Sequence, residues 1–179
     1  MIDPHTATIR FSEDMLRDRI AEMGAQIAAD YAGRELVVVG VLKGSLYFLA
    51  DLTRAIPMSL QVDVMSIGVY PGATNQTGVV RITKDLDADI TGKHVLVVED
   101  IVRTGLTLGY LIQNLESRCP ASVAVCALLL SPFQQLINVP VAYCGFTVSD
   151  EWMMGFGMDI REQWRNLPYI VNVDKKANK

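Results

Sequence analysis

The chain has 179 residues, half of them hydrophobic and a fifth charged, a composition that suits one compact domain and excludes a disordered or fibrous protein. Sixteen Lys and Arg against twenty Asp and Glu leave a formal charge of -4, so nothing draws the whole molecule to nucleic acid or to an anionic membrane, and any phosphate must be bound locally. The three cysteines, Cys119, Cys126 and Cys144, lack metal-ligand spacing and read as free thiols of a reducing cytoplasm. Met1-Ile2-Asp3-Pro4-His5 is no secretory signal, and the longest apolar run, Val123 to Leu130, is far short of the ~20 residues that cross a bilayer. A soluble cytoplasmic protein is expected.

Ser12 can cap a first helix with Glu13 and Asp14 in its first turn, an apolar face of Leu16, Ile20, Met23, Ile27 and Tyr31, and Gly33 at its end. Leu36 to Val41 is a continuous β-branched run, the pattern of a parallel strand covered on both faces. A second helix is predicted from about Ser45 to Ala55, burying Leu46, Leu49 and Leu52 and stopped by Pro57. Leu60, Val62 and Val64 alternate with Gln61 and Asp63 as a strand, and a polar loop follows through Gly72 to Gly78. His94 to Val98 is a buried strand, followed by a helix with Leu108, Leu111, Ile112 and Leu115 inward, and Ser122 to Leu130 is a third strand of the same kind. Val141 to Phe146 reads as a last strand, and the aromatic, Gly-containing remainder as an irregular cap over the sheet's edge. Strands alternating with helices predict an α/β fold, an open, mostly parallel twisted sheet with helices on both faces, in a single domain over 1–179.

The stretch Val97-Val98-Glu99-Asp100-Ile101-Val102-Arg103-Thr104-Gly105-Leu106-Thr107 carries the chemistry. In an open parallel sheet ligands bind beyond the carboxyl ends of the strands, and this end bears two carboxylates, a Thr-Gly-x-Thr turn and a helix start. Backbone N–H groups and Thr hydroxyls there can cradle a phosphate without a basic residue. Glu99 and Asp100 can then hold a neighbouring diol or Mg²⁺, because ionised carboxylates only accept hydrogen bonds. A ribose 5-phosphate has that arrangement of groups. A second strand-to-helix turn, Val41-Leu42-Lys43-Gly44-Ser45, would face the same crevice, which suggests a substrate with phosphates at two ends.

Over nearly its whole length the chain resembles the hypoxanthine and hypoxanthine-guanine phosphoribosyltransferases. The resemblance rests on Val41 to Gly44, Lys84-Asp85-Leu86-Asp87, Glu99 to Thr107, Gly155-Phe156-Gly157-Met158-Asp159, and Trp164-Arg165-Asn166-Leu167-Pro168-Tyr169-Ile170. It implies a type I phosphoribosyltransferase fold and Mg²⁺-dependent transfer of the phosphoribosyl group from phosphoribosyl pyrophosphate (PRPP) to a purine, in a homodimer or homotetramer. By motif, Thr104, Gly105, Leu106 and Thr107 would hold the 5-phosphate, Glu99 and Asp100 the ribose hydroxyls, and Lys43, Gly44 and Arg165 the pyrophosphate. Asp159, with Glu99 and Asp100, would place Mg²⁺; Trp152 would stack on the base and a Met153 main-chain group would read its edge. The resemblance also implies that the peptide before Lys43 can be cis, that Tyr70 opens a hood loop over about 70–80, and that the C-terminal cap spans about 147–179.

Three positions depart from the family pattern. Arg103 stands where the family has an Asp acting toward purine N7, Ser131 where it has a Lys contacting O6, and Val69 where a Ser precedes the hood tyrosine; Phe133-Gln134-Gln135 replaces basic residues. All lie on the side of the base, the hood or nearby surface, while the PRPP side is retained. Arginine cannot accept a proton, but its planar fork can donate to an N7/O6 edge as it does to guanine. The purine-side residues are thus Arg103, Ser131, Trp152 and Met153. Two readings stay open: a 6-oxopurine salvage enzyme, and a relative that binds PRPP or nucleotide as a sensor or as a subunit of a mixed oligomer.

Overall fold

The computed structural model describes residues 7–70 and 79–173. In chain order the elements are β1 (Ile9–Phe11), α1 (Glu13–Asp30), β2 (Leu36–Leu42), α2 (Leu46–Ala55), β3 (Gln61–Tyr70) and β4 (Val79–Lys84). They continue as β5 (His94–Val102), α3 (Leu106–Glu116), β6 (Ser122–Leu130), β7 (Tyr143–Thr147), β8 (Trp152–Met154) and β9 (Ile170–Val173). Among the described residues, six strands form one sheet in the order β4-β3-β2-β5-β6-β7, parallel throughout except for β4.

Helix α1 starts where its cap predicts: Ser12 Oγ accepts from the Met15 N–H at 3.3 Å, and Glu13 and Asp14 face the helix's positive end. Its face of Leu16, Ile20, Met23, Ile27 and Tyr31 is buried, together with Phe48, Leu49 and Leu52 of α2, against Val38, Leu96 and Leu128 of the sheet. On the opposite face α3 packs Leu108, Leu111 and Leu115 onto Val37, Val39, Val95, Val97 and Val125. This double cover explains the unbroken valine run of β2, in which both sets of alternating side chains need an apolar partner.

The structure differs from the sequence-based expectations in four places. In α2 the inward residue is Phe48, while Leu46 lies at the helix start, 49% exposed. In β3 the buried residues are Asp63 and Met65, whereas Val62 is exposed, because Asp63 is turned inward to accept backbone N–H groups of the segment after β4. Strand β5 runs on to Val102, so Glu99 and Asp100 lie within it and not in the loop. The C-terminal segment is not irregular: β8 and β9 form a second, antiparallel sheet whose third strand is the N-terminal β1, in the order β1-β9-β8. Its neighbours Met153, Phe156, Met158 and Ile170 join the core cluster on the α1 and α2 side. Met1-Ile2-Asp3-Pro4-His5 and the loop 71–78 lie outside the described residues; Tyr70 is the last residue of β3.

Candidate active site

The carboxyl end of β5 and the turn after it carry two adjoining clefts. One, of about 210 Å³, is lined by Glu99, Val102, Thr104, Gly105, Thr107 and Leu108, with Ile101 and Arg103. Gly105 stands at the N-cap of α3 with φ +77°, a left-handed turn that aims the first N–H groups of the helix out of the sheet. Those donors and the Thr hydroxyls make a small anion cradle with no lysine in it.

The carboxylates behind this cradle are unusual. Glu99 Oε2 is closed off from solvent and has no hydrogen-bond partner. Burial, and secondarily the neighbouring Asp100, push its carboxyl well above the ordinary value of 4.5. Burial also raises Asp100, partly countered by N–H groups including that of Ile101 and by Arg165 and Arg103. A buried acceptor without a donor, beside an anion cradle, suits a ligand that carries both an anionic group and hydroxyls.

The second cleft, of about 370 Å³, shares Ile101 and Arg103 with the first and extends to Gln134, Trp152, Met153 and Asp159. Trp152 leaves β8 with 44% of its surface exposed, a flat aromatic wall, while Met153 is buried beneath it. Arg103 is drawn into this cleft: Nη1 donates to Gln134 Oε1 at 3.2 Å and Nη2 donates to the Glu151 carbonyl at 2.9 Å. Gln134 Nε2 in turn donates to Asp150 Oδ1. Ser131 takes no part in the lining. It is fully buried, its N–H donates to the Val102 carbonyl at 2.9 Å and its hydroxyl to the Ser149 carbonyl at 3.5 Å.

A third group closes the site from the C-terminal segment. Arg165 pairs with Asp159 at 2.7 Å and Glu162 at 3.3 Å and donates to the Gly157 carbonyl at 2.8 Å, while its Nε is buried without a partner. Lys43 Nζ reaches the same Glu162 at 2.8 Å, and that hydrogen bond is the main influence holding Glu162 below the ordinary carboxylate value. Gly157, at φ +100°, lies on the Gly44 carbonyl, and Gly44 in turn lies against the Asp100 carboxylate; a Cβ on either glycine would overlap its neighbour. The two strand-to-helix turns and the C-terminal segment therefore converge on one point, and the Leu42-Lys43 peptide is cis.

Lys43, Gly44, Glu99, Asp100, Arg103, Thr104 to Thr107, Trp152, Met153, Asp159 and Arg165 are thus gathered at the carboxyl end of the sheet, and Ser131 is set apart. Gln134, Asp150 and Glu162 belong to the same site and were not singled out as site residues. Glu162 has a readable signal, its spacing of three from both Asp159 and Arg165. Gln134 and Asp150 meet only through the tertiary fold. A larger cleft, about 580 Å³ around Leu16 and Tyr47, lies elsewhere; Phe156, Asn166, Leu167 and Pro168 of the C-terminal motif stretches line it, but none of the candidate site residues does.

Residues 12–161 match the phosphoribosyl transferase domain family. The chain is 43% identical to the hypoxanthine phosphoribosyltransferase of Escherichia coli strain K12 over 171 residues, covering 94% of this chain and 96% of that protein. It is also 43% identical to the hypoxanthine-guanine phosphoribosyltransferase of Mycobacterium bovis over 176 residues, 95% of this chain and 87% of that one. A crystal structure of a hypoxanthine phosphoribosyltransferase from Staphylococcus aureus superposes with a TM-score of 0.90 at 38% identity, over 96% of this chain and 94% of the other.

Proposed function

The chain belongs to the hypoxanthine and hypoxanthine-guanine phosphoribosyltransferase family, and we propose that it is a purine-salvage enzyme transferring the 5-phosphoribosyl group from PRPP to a 6-oxopurine, hypoxanthine or guanine, to give IMP or GMP and pyrophosphate. The observation that carries this reading is the pair of clefts meeting at Ile101 and Arg103, one an anion cradle and the other walled by an aromatic ring. Their junction is where the ribose of a nucleotide belongs.

In this reading the Thr104 to Thr107 turn holds the 5-phosphate through backbone N–H groups and hydroxyls. The unpartnered Glu99 Oε2, with Asp100, accepts from the ribose hydroxyls. Lys43, the close-packed Gly44 and Arg165, whose Nε awaits an acceptor, take the pyrophosphate. Trp152 stacks on the purine and Met153 lies at its edge; Ser131, enclosed, supports the backbone behind them.

Mg²⁺ is usually bound by one or two carboxylates plus substrate phosphates. Asp100, against Gly44, and Asp159, paired with Arg165, stand beside the pyrophosphate residues and would hold it, whereas Glu99 lines the phosphate cradle and no three carboxylates cluster among the described residues. When bound it would neutralise charge developing on the leaving pyrophosphate. The chain's own residues hold PRPP by both anionic ends, so that the C1′–O bond is stretched between fixed points. A homodimer or homotetramer in the cytoplasm accords with the family. Among the described residues no helix is long and apolar enough to cross a membrane.

The test is nucleotide formation from PRPP and Mg²⁺ with hypoxanthine, guanine, xanthine and adenine in parallel. Turnover of a 6-oxopurine and none of adenine is expected. No turnover with any of the four, in folded protein that binds PRPP, would overturn the reading in favour of a nucleotide-binding relative.

A further inference from the structure

Arg103 is the one side chain that lines both clefts and carries a fixed charge. It stands where phosphate and base sites join, and so faces the part of a purine nearest the ribose, its imidazole ring. Two of its five N–H donors are spent on Gln134 and the Glu151 carbonyl, which hold the guanidinium in place and leave the others for a ligand. Around it stand Asp100 from β5, Asp150 from the turn before β8, and Asp159 and Arg165 from the C-terminal segment. The carboxylates are engaged: Asp100 accepts from the Ile101 N–H at 2.9 Å, Asp150 from Gln134, and Asp159 from Arg165 and the Glu162 N–H.

We propose that Arg103 makes this enzyme a transferase of purine anions, selecting 6-oxopurines by the acidity of their imidazole proton. The proposal rests on the phosphoribosyl-transfer reading above. A neutral 6-oxopurine has two imidazole tautomers. With the proton on N9, that nitrogen has no lone pair to attack C1′. With the proton on N7, N9 is free, but the N7–H points at a side chain that can only donate. Arginine stays protonated at any working pH, so donor faces donor and this tautomer is rejected. The anion satisfies both demands, with N9 free and N7 and O6 accepting from the guanidinium.

The step balances without a protein base. The imidazole proton passes to solvent before or during purine binding. The N9 lone pair then forms the N9–C1′ bond, and the C1′–O bond breaks with its electron pair leaving on pyrophosphate. A purine with a more acidic imidazole proton is therefore the better substrate: 8-azahypoxanthine over hypoxanthine, since nitrogen at position 8 acidifies that ring at constant shape.

The experiment compares hypoxanthine with 8-azahypoxanthine on the whole protein at one pH and saturating PRPP and Mg²⁺, in the wild type, Arg103→Asp and Arg103→Gln. Wild-type kcat/KM is expected to favour the aza compound by at least about tenfold, a factor of ten for each unit of added acidity that the reaction uses. Arg103→Asp restores an acceptor toward N7 and should shrink that ratio severalfold. The protein groups around Arg103 are the same for both purines, so their contribution cancels in the ratio. Binding provides a readout independent of turnover. Hypoxanthine entering wild type loaded with a PRPP analogue whose pyrophosphate cannot leave should release about one proton per site, seen as calorimetric heat that varies with the buffer's ionisation enthalpy, and should release none with Arg103→Asp. Equal use of both purines with no proton release overturns the anion proposal and leaves the salvage reading standing. Proton release and aza preference in binding, with no turnover of any purine, uphold the anion site and overturn the salvage reading.

Discussion

At the scale of single residues, the cost of the site is concentrated in Glu99. Its Oε2 is closed off from solvent with no hydrogen-bond donor among the described residues, and burial, with the neighbouring Asp100, raises its carboxyl well above the ordinary value. The sign follows directly. A folded-state value above 4.5 means that stability is fully present below the ordinary carboxylate range and is lost as pH rises from there through the raised value. Glu99→Gln removes that titration. Relative to wild type the variant is expected to gain stability as pH rises toward neutrality, by about 1–3 kcal/mol, the usual penalty of an unsatisfied buried polar group. PRPP affinity should fall at the same time, because an amide nitrogen can face the ribose hydroxyls where only an acceptor serves. Thermal melts from acid to neutral pH, paired with PRPP titrations, check both. Equal melting curves at every pH would show that Glu99 is solvated.

At the scale of elements, β3 gives up a hydrophobic position to anchor the segment that follows β4. Asp63 is only 9% exposed, and its carboxylate accepts from the N–H groups of Val64 at 2.7 Å, Asp87 at 2.8 Å and Ala88 at 2.9 Å, with Lys84 Nζ at 3.8 Å. Burial alone would raise this carboxyl, but the three N–H donors and Lys84 together outweigh it and hold it below the ordinary value. The Lys84-Asp85-Leu86-Asp87 stretch is completed by Lys84 pairing with Asp87 at 3.0 Å and by Arg118 pairing with Asp85 at 2.8 Å. In this structure the stretch ties the segment after β4 to β3 and to the end of α3. Asp63→Ala leaves the part-buried N–H groups of Val64, Asp87 and Ala88 without this acceptor and is expected to cost about 1–3 kcal/mol at neutral pH. A lowered carboxylate contributes stability above the unfolded value of 3.8 and loses it as pH falls through the folded one, so the variant and wild type should converge in acid. Denaturant midpoints at neutral and acid pH measure this; a pH-independent gap would assign the loss to packing.

At the scale of the whole molecule, what could be read from the sequence followed local pattern, and what could not depended on contacts between distant segments. The valine runs of β2 and β5, the Ser12 cap and the strand Ser122 to Leu130 are written in periodicity and capping, and the structure reproduces them. The cleft around Thr104 to Thr107 could be read locally because Glu99 to Thr107 lie within one strand-turn-helix unit. The small sheet was not, because β1 is three residues long and pairs with β9 at the far end of the chain. The same distance hid Gln134 and Asp150 and left the orientation of Arg103 open.

That long-range sheet is also the mechanical support of the purine cleft. Arg10 on β1 pairs with the Glu151 carboxylate at 3.1 Å, and the Glu151 carbonyl is one of the two anchors of Arg103, immediately before Trp152. The chain's first strand is therefore linked to Arg103 through Glu151, while the Lys43-Gly44 turn is held by β2 and the Gly157 contact. The ion pair is partly exposed, 41% at Arg10 and 21% at Glu151, so its loss should lower stability by about 1 kcal/mol or less. Its loss also frees the Glu151 backbone, and a displaced positioning group can cost far more in function than in stability. Arg10→Ala is accordingly expected to raise KM for hypoxanthine roughly 3- to 10-fold, with KM for PRPP unchanged and only a small shift in Tm. Steady-state kinetics with each substrate varied in turn separates the alternatives. A parallel rise in both KM values would mean that the second sheet supports the whole site, and an unchanged pair would mean that Gln134 alone suffices to hold Arg103.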